Sequence, residues 1–200
     1  MAATEVTVEV GSRTLKLTNL EKVLYPAVGF TKASVIDYYV RIAPVLVDHI
    51  GDRCITMRRF PDGVDNASFF NKRCPDWRPA WLQAARGPGE SEGPIDYCQL
   101  HEVASVAWAA NLAALELHSP MARSGDIDSP TMLVFDLDPG EGTDITDCCQ
   151  VAQQLFDVLD ALDLKAWPKT SGSKGLQLYV PLNTPHSHAH ASSFLSLIHI

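Results

Sequence analysis

The stretch Thr131-Met132-Leu133-Val134-Phe135-Asp136-Leu137-Asp138 constrains this chain more than any other segment. An apolar run with β-branched and aromatic residues ends in two carboxylates, and Pro139-Gly140 stops it. This pattern predicts a buried strand that closes at a turn. Side chains at i and i+2 of a strand share a face, so Asp136 and Asp138 project side by side at its carboxyl end. Adjacent carboxylates repel, and burying them unpaired is costly. A divalent cation removes that cost, and carboxylate oxygens suit Mg²⁺ or Mn²⁺. A surface turn that uses Asp for capping fits the same short pattern, and Asp-x-Asp alone does not separate the two readings.

A second segment, Thr170-Ser171-Gly172-Ser173-Lys174-Gly175, precedes a strand-like alternation from Leu176 to Pro181. Leu176, Leu178 and Val180 share one face there, and Gln177 and Tyr179 share the other. Glycines let backbone N–H groups approach an anion, and Lys174 adds a point charge. The loop lacks the Gly-x-x-x-x-Gly-Lys-Ser/Thr pattern and leads into a strand, so it is no P-loop. Alone it reads equally as a Gly/Ser hairpin turn. Downstream of Asp-x-Asp it points to a metal–triphosphate site.

The net charge of −8 runs against simple nucleic-acid binding, but its distribution matters more. From Arg53 to Arg86 there are seven basic residues, three acids and interleaved Phe60, Phe69, Phe70, Trp77 and Trp81. Such a mixture suits phosphates and stacked bases. Residues 126–163 hold ten acids and no Lys or Arg; the metal site and a solvated helix face account for them. No run of about 18 apolar residues predicts a membrane span, and the N-terminus lacks a basic region followed by an apolar core, so no secretory signal is expected. The five cysteines are scattered, without Cys-x-x-Cys, and are expected as reduced thiols in a cytosolic protein.

Residues 4–17 predict a strand pair turning at Gly11-Ser12. Thr18 or Asn19 is expected to cap a short helical turn ended by Pro26. Thr31 is expected to cap a helix over Ser34 to Ile50, where Val35, Tyr38, Tyr39, Ile42 and Leu46 recur at helical spacing. Strands are expected at 53–60 and 67–71 around Pro61-Asp62-Gly63, a loop at 84–94, a helix at 99–113, a strand at 114–118 and a loop at 120–130. An amphipathic helix from Asp144 to Leu162 leads to a strand near Trp167. Strand, helix, strand over 131–182 predicts a split βαβ unit.

The two motifs, in this order, resemble the polymerase domain of bacterial ATP-dependent DNA ligase D, in the archaeo-eukaryotic primase superfamily. Leu17-Thr18-Asn19-Leu20-Glu21-Lys22-Val23-Leu24-Tyr25-Pro26 is similar to that family's opening segment. Thr31-Lys32 with Asp37-Tyr38-Tyr39, Arg58 to Asp65, Phe69 to Lys72, Ala114 to His118 and Phe135 to Gly140 follow in matching order. The resemblance covers essentially residues 14–182. It implies an α+β (α/β mixed) chain: a primase-like polymerase fold with an incomplete RRM-like catalytic sheet. Residues 1–185 would form this domain, incomplete at its C-terminus, with 186–200 an atypical, disordered tail. His186, His188 and His190 there could hold a transition metal if extended. The family also has a third metal-binding Asp on a later strand, and this chain shows no match to it. Water or Asp144 would have to substitute, so the chain by itself is expected to bind DNA ends with negligible primer extension.

The resemblance also implies site roles. Asp136 and Asp138 would be catalytic metal ligands, holding two Mn²⁺ or Mg²⁺ ions. Lys22 and Lys32 match a pair that holds a DNA 5′-phosphate. Phe69 and Phe70 match aromatics that stack near the template and incoming base, with one of the pair expected in the core. Arg58 and His118 match nucleotide contacts, and Ser171, Gly172, Ser173 and Lys174 match the triphosphate loop. Gln177 stands where the family usually has His. The implied activity is DNA-end-directed nucleotidyl transfer, by a primer-dependent polymerase or primase-polymerase of bacterial non-homologous end joining. Its substrates would be ribo- or deoxyribonucleoside triphosphates and DNA with 5′-phosphorylated ends or gaps. Ku and a DNA ligase are implied as partners, and the location as cytoplasmic and nucleoid-associated. The competing readings are a catalytically inactive 5′-phosphate-binding module, a fragment without function, and a haloacid-dehalogenase-type phosphatase. The last also uses Asp-x-Asp after an apolar strand, but the upstream segments would then be coincidence.

Overall fold

The structure, a computed structural model, describes residues 5–89 and 93–198. The chain divides into two compact units, Met1–Pro120 and Met121–Ile200.

In the first unit, β1 (Glu5–Val10) and β2 (Arg13–Thr18) form the expected antiparallel pair. Gly11 takes the positive φ of its turn. The expected helical turn after Thr18 is replaced by a second hairpin. Here β3 (Val23–Tyr25) and β4 (Phe30–Thr31) pair across a 3₁₀ turn at Pro26–Val28. Pro26 opens that turn instead of ending one, because its fixed φ suits a first helical position. Helix α1 (Lys32–Ile50) starts two residues earlier than predicted, with Thr31 Oγ1 accepting from the Ser34 amide at 3.3 Å. Its buried face carries Val35, Ile36, Tyr39, Ala43 and Ile50. Tyr38, at the same helical spacing, is 49% exposed.

Strands β5 (Thr56–Arg59) and β6 (Phe69–Asn71) follow as predicted. The expected loop at 84–94 is instead largely the antiparallel pair β7 (Ala84–Gly87) and β8 (Ile95–Cys98). Gly87 pairs within β7, and the later Gly and Pro residues mark the connection, of which 90–92 lie outside the described residues. Helix α2 (Val103–Asn111) is buried on nearly every side, as its Ala-rich composition allows, and β9 (Ala114–His118) follows. The sheet order is β6-β5-β9, antiparallel throughout. The core joins α1 and α2 to Leu15, Leu17, Leu24, Ile55 and Met57. Cys74 and Cys98 are disulfide-bonded, contrary to the expectation of five reduced thiols. The Cys74 amide donates to the Asp96 carbonyl, which brings the segment against β8 and the two Cα atoms to 4.8 Å.

In the second unit, the expected loop at 120–130 is the short hairpin β10 (Ala122–Arg123) and β11 (Asp126–Pro130). Then come β12 (Met132–Leu137), α3 (Ile145–Ala161), β13 (Trp167–Thr170) and β14 (Leu176–Pro181). The sheet order is β12-β14-β13, with β14 antiparallel to both neighbours. β12 and β13 are therefore parallel with β14 inserted between them, which is the predicted split βαβ unit. Leu133, Leu178 and Val180 pack with Leu159 of α3. Pro168 sits on the edge strand β13, where a missing amide donor is tolerated. The tail expected to be disordered forms α4 (His188–Ile198) instead. Ala191, Phe194 and Leu195, at helical spacing, pack against the Leu133 and Val180 core. The three histidines do not lie along an extended segment: the His186 and His190 rings meet edge-on at 4.7 Å, and His188 Nε2 lies 3.0 Å from the Ile127 carbonyl. No described helix is long and apolar enough to cross a membrane.

Candidate functional site

In the second unit the inward positions of β12 and β14 go to the core, so the outward ones form the other face of the sheet. Asp136 lies opposite Gln177, and Gln177 opposite Lys169, so one row crosses all three strands. Gln177 Nε2 donates to Asp136 Oδ1 at 3.3 Å, and the Tyr179 hydroxyl donates to Gln177 Oε1 at 2.9 Å. Partial burial, then the Asp136 charge, raise the Tyr179 pKa. Asp138 follows the strand, and its carboxylate lies against Gly175. A Cβ at position 175 would collide with Asp138 Oδ1 and the Leu137 carbonyl. Glycine is thus required where the loop meets the carboxylate.

The loop itself is held by Ser171. Its Oγ accepts from the amides of Gly175 at 3.0 Å and Ser173 at 3.3 Å, and Gly172 takes a positive φ. Those two amides are therefore engaged within the loop and are not open to an anion. Lys174 Nζ donates to the Pro139 carbonyl at 3.4 Å, which brings its charge beside the Asp138 end of β12. Asp136, Asp138, Gln177 and the Ser171–Lys174 loop are thus neighbours.

Both carboxylates are exposed, and among the described residues neither is held in an ion pair. Two hard oxygen donors of this kind suit a divalent cation that keeps several waters or takes phosphate oxygens. No group of three or more His, Cys, Asp or Glu side chains among the described residues converges on a metal position. Asp144, a candidate substitute ligand, is engaged elsewhere. It caps α3, accepting from the Thr146 amide at 2.7 Å, and this hydrogen bond lowers its pKa.

In the first unit, Lys22 and Lys32 are brought together by the β3–β4 hairpin. The Lys32 amide donates to the Lys22 carbonyl at 2.8 Å. Both side chains line a cavity of about 240 Å³ together with Thr18, Asn19 and Arg59. Lys32 is buried, and its Nζ donates to the Thr18 carbonyl at 2.6 Å. Burial, then the charges of Lys22 and Arg59, push its pKa down to about 8. Lys22 is more exposed and pairs with Asp62 at 2.6 Å. Three cations converge here with one carboxylate at their side, an arrangement suited to a dianion.

The β6-β5-β9 sheet carries a second cluster. Arg58 lies opposite both Phe70 and Glu116. Its Nη1 pairs with Glu116 Oε1 at 3.0 Å, and Glu116 Oε2 meets His118 Nε2 at 2.8 Å. The Phe70 ring packs edge-on to His118 at 5.3 Å. Phe69, one residue away, turns to the opposite face and covers the Arg59 guanidinium at 5.2 Å. Phe69 is 47% and Phe70 56% exposed, so neither is the expected core residue. β6 is an edge strand, and both of its faces are open near these positions.

Sequence reading missed Arg59, Glu116 and Tyr179. Arg59 and Tyr179 stand beside flagged residues, but nothing in their spacing shows which neighbour they reach. Glu116 lies two residues before His118, and that period-two spacing was the available signal.

The family model described as the LigD primase-polymerase domain matches residues 31–198. The chain belongs to this family. It is 46% identical over 180 residues to the multifunctional non-homologous end joining protein LigD of Mycolicibacterium smegmatis, covering 89% of this chain and 24% of that protein. The bifunctional LigD of Bacillus subtilis is 31% identical over 169 residues, covering 84% and 27%. The chain thus spans about a quarter of the length of these relatives. The polymerase domain from Mycobacterium tuberculosis Ligase D, solved in complex with DNA, superposes with a TM-score of 0.84 at 41% identity. That match covers 90% of this chain and 65% of the solved one. The mixed α/β LigD polymerase fold expected from the sequence is therefore borne out, and the match continues into α4.

Proposed function

We propose that this LigD primase-polymerase chain is a DNA-end-directed nucleotidyltransferase, filling breaks or gaps in bacterial non-homologous end joining. The carrying observation is the meeting of Asp136 and Asp138 with the Ser171–Lys174 loop at the end of β12. Asp136 and Asp138 would hold Mn²⁺ or Mg²⁺, and the ions, when bound, would supply Lewis acidity toward the attacking hydroxyl and the phosphate charge. Lys174 and Ser173 bind and orient the triphosphate, and Gln177 keeps the Asp136 carboxylate turned toward the open face. In the first unit, Arg58 and His118, both held by Glu116, match the family's nucleotide contacts, and Phe70 matches a base-stacking aromatic. Phe69 stacks on the template. Lys22, Lys32 and Arg59 take the 5′-phosphate. Nucleoside triphosphates and 5′-phosphorylated DNA are the substrates, with Ku and a DNA ligase as cytoplasmic partners.

The test is primer extension on 5′-phosphorylated gapped DNA with Mn²⁺ and nucleoside triphosphates. Extension that Asp136→Ala abolishes is expected of the active domain; metal-dependent extension that survives this change would overturn the assignment. A second reading, a 5′-phosphate-binding module without catalysis, has its own observation. The three-cation cavity lies wholly within Met1–Pro120 and uses no residue of the carboxylate site. Binding of 5′-phosphorylated ends with no extension, even by a chain continued through the family's third Asp, would favour it.

A further inference from the structure

A second cavity in the first unit, about 320 Å³, belongs to none of the roles above. It is lined by Tyr25, Val28, Phe30, Tyr38, Tyr39 and Leu115. Val28 is 76%, Tyr38 49% and Phe30 38% exposed, while Tyr39 is buried beneath them. Tyr25 and Phe30 meet edge to face at 6.0 Å, which leaves ring surface open to a flat partner. Among the described residues no acidic residue lines it, and Glu116, which after burial raises the Tyr25 pKa, is already paired with Arg58. The mouth therefore carries little repulsion toward a polyanion.

Its position identifies the occupant. One hairpin joins this cavity to the three-cation cavity. Lys22 and Lys32 close the hairpin's base, Val23 lies opposite Thr31, and Tyr25 lies opposite Phe30. From the lysine pair to the aromatic pair is only a few residues of strand, on the order of 10 Å at ~3.4 Å per residue. One nucleotide spans such a separation between its phosphate and its base. Cations tracking a backbone beside aromatic faces are the usual design for single-stranded nucleic acid.

We propose that this aromatic cavity is a nucleobase subsite, which takes the unpaired base of the nucleotide whose 5′-phosphate sits at Lys22 and Lys32. The inference rests on the proposed role of those lysines. It adds that the hairpin reads a terminal nucleotide, base and phosphate together, and so favours ends that are frayed or single-stranded over flush duplex ends.

The test uses the 200-residue chain and short single-stranded DNA in four forms: 5′-phosphate or 5′-hydroxyl, each with a normal or an abasic terminal nucleotide. Removing the base is expected to weaken binding of the 5′-phosphorylated strand about tenfold, the lower range of one base–aromatic stack. Tyr38→Ala should erase that penalty while keeping the preference for 5′-phosphate over 5′-hydroxyl. Val28→Glu, at the exposed rim, should weaken the base-bearing strand more than the abasic one. Equal binding of base-bearing and abasic strands, with the phosphate preference intact, would overturn the subsite and point to a protein partner for the cavity. An abasic penalty that Tyr38→Ala and Val28→Glu leave unchanged would place the base elsewhere and also overturn it. Loss of the phosphate preference in the unaltered chain would remove the lysine reading itself, and the subsite with it.

Discussion

Gln177 Nε2 reaches Asp136 Oδ1 across 3.3 Å, so the residue that replaces the expected His holds the first carboxylate of the Asp-x-Asp pair. An amide donates without carrying charge, whereas imidazole becomes cationic below a pKa near 6.5. Gln177→His should therefore strengthen triphosphate binding at about pH 6, by roughly threefold or more, and change little above about pH 8. Nucleotide titrations at the two pH values check this. A gain independent of pH would mean that shape, not charge, separates the two side chains.

Gly175→Ala should be far more damaging than a loop substitution of that size. The added Cβ would meet Asp138 Oδ1 and the Leu137 carbonyl, so the strand end or the loop must move. A stability loss of about 1–3 kcal/mol is expected, as for other backbone-strain substitutions. A weaker metal site should accompany it. Thermal unfolding with and without Mn²⁺ would reveal both; an unaltered melting curve and unaltered stabilisation by Mn²⁺ would refute the cradle.

Lys32 should make the proposed 5′-phosphate site pH-dependent. With its pKa near 8, the free site loses a charge as pH rises through 8. Preference for 5′-phosphate over 5′-hydroxyl DNA should fall between pH 7 and 9 by this account. Replacing Lys22 and Lys32 together by Ala should abolish the preference and flatten the pH profile, with a smaller loss on 5′-hydroxyl DNA. The stability effect runs the other way. Between pH 8 and 10.5 the unfolded chain keeps a proton that the folded chain has released. Folding stability from this group therefore rises with pH across that window. Anisotropy titrations across pH are decisive, and equal losses on both substrates would make the lysines generic backbone contacts.

Glu116 should matter more for the nucleotide than for the fold. Its pairs with Arg58 and His118 are partly exposed, so Glu116→Gln should cost no more than about 1 kcal/mol of stability. Arg58 and His118 would lose their common anchor, and nucleotide affinity should fall several-fold. Chemical denaturation alongside nucleotide binding separates the two effects. A large stability loss with unchanged affinity would make Glu116 structural.

Much of this was legible in the chain. The alternation of Leu176, Leu178 and Val180 with Gln177 and Tyr179 marked both faces of β14, and Thr131 to Asp138 marked β12. Thr31 and Asp144 marked helix starts, because a capping side chain acts within three residues. Short strands were not legible. β7, β10 and β11 lie in Gly-, Pro- and Ser-rich stretches, where pairing partners and not periodicity decide the outcome. Helix α4 was missed for a related reason: Ala191, Phe194 and Leu195 declare a face only once a core is present to receive it. The Cys74–Cys98 bond depends on contacts between segments 24 residues apart. In the site, Asp136, Asp138 and Lys174 were found from local pattern. Arg59 and Glu116 needed the β5–β6 and β5–β9 registers, which no local pattern states.

The central claim is that Asp136 and Asp138 form a divalent-cation site. Calorimetric titration of the chain with Mn²⁺ tests it most directly, beside Asp136→Ala and a distant control, Asp157→Ala on α3. The account predicts measurable Mn²⁺ binding in the unaltered chain and the control, and none in Asp136→Ala. Equal Mn²⁺ affinity in all three proteins would contradict it.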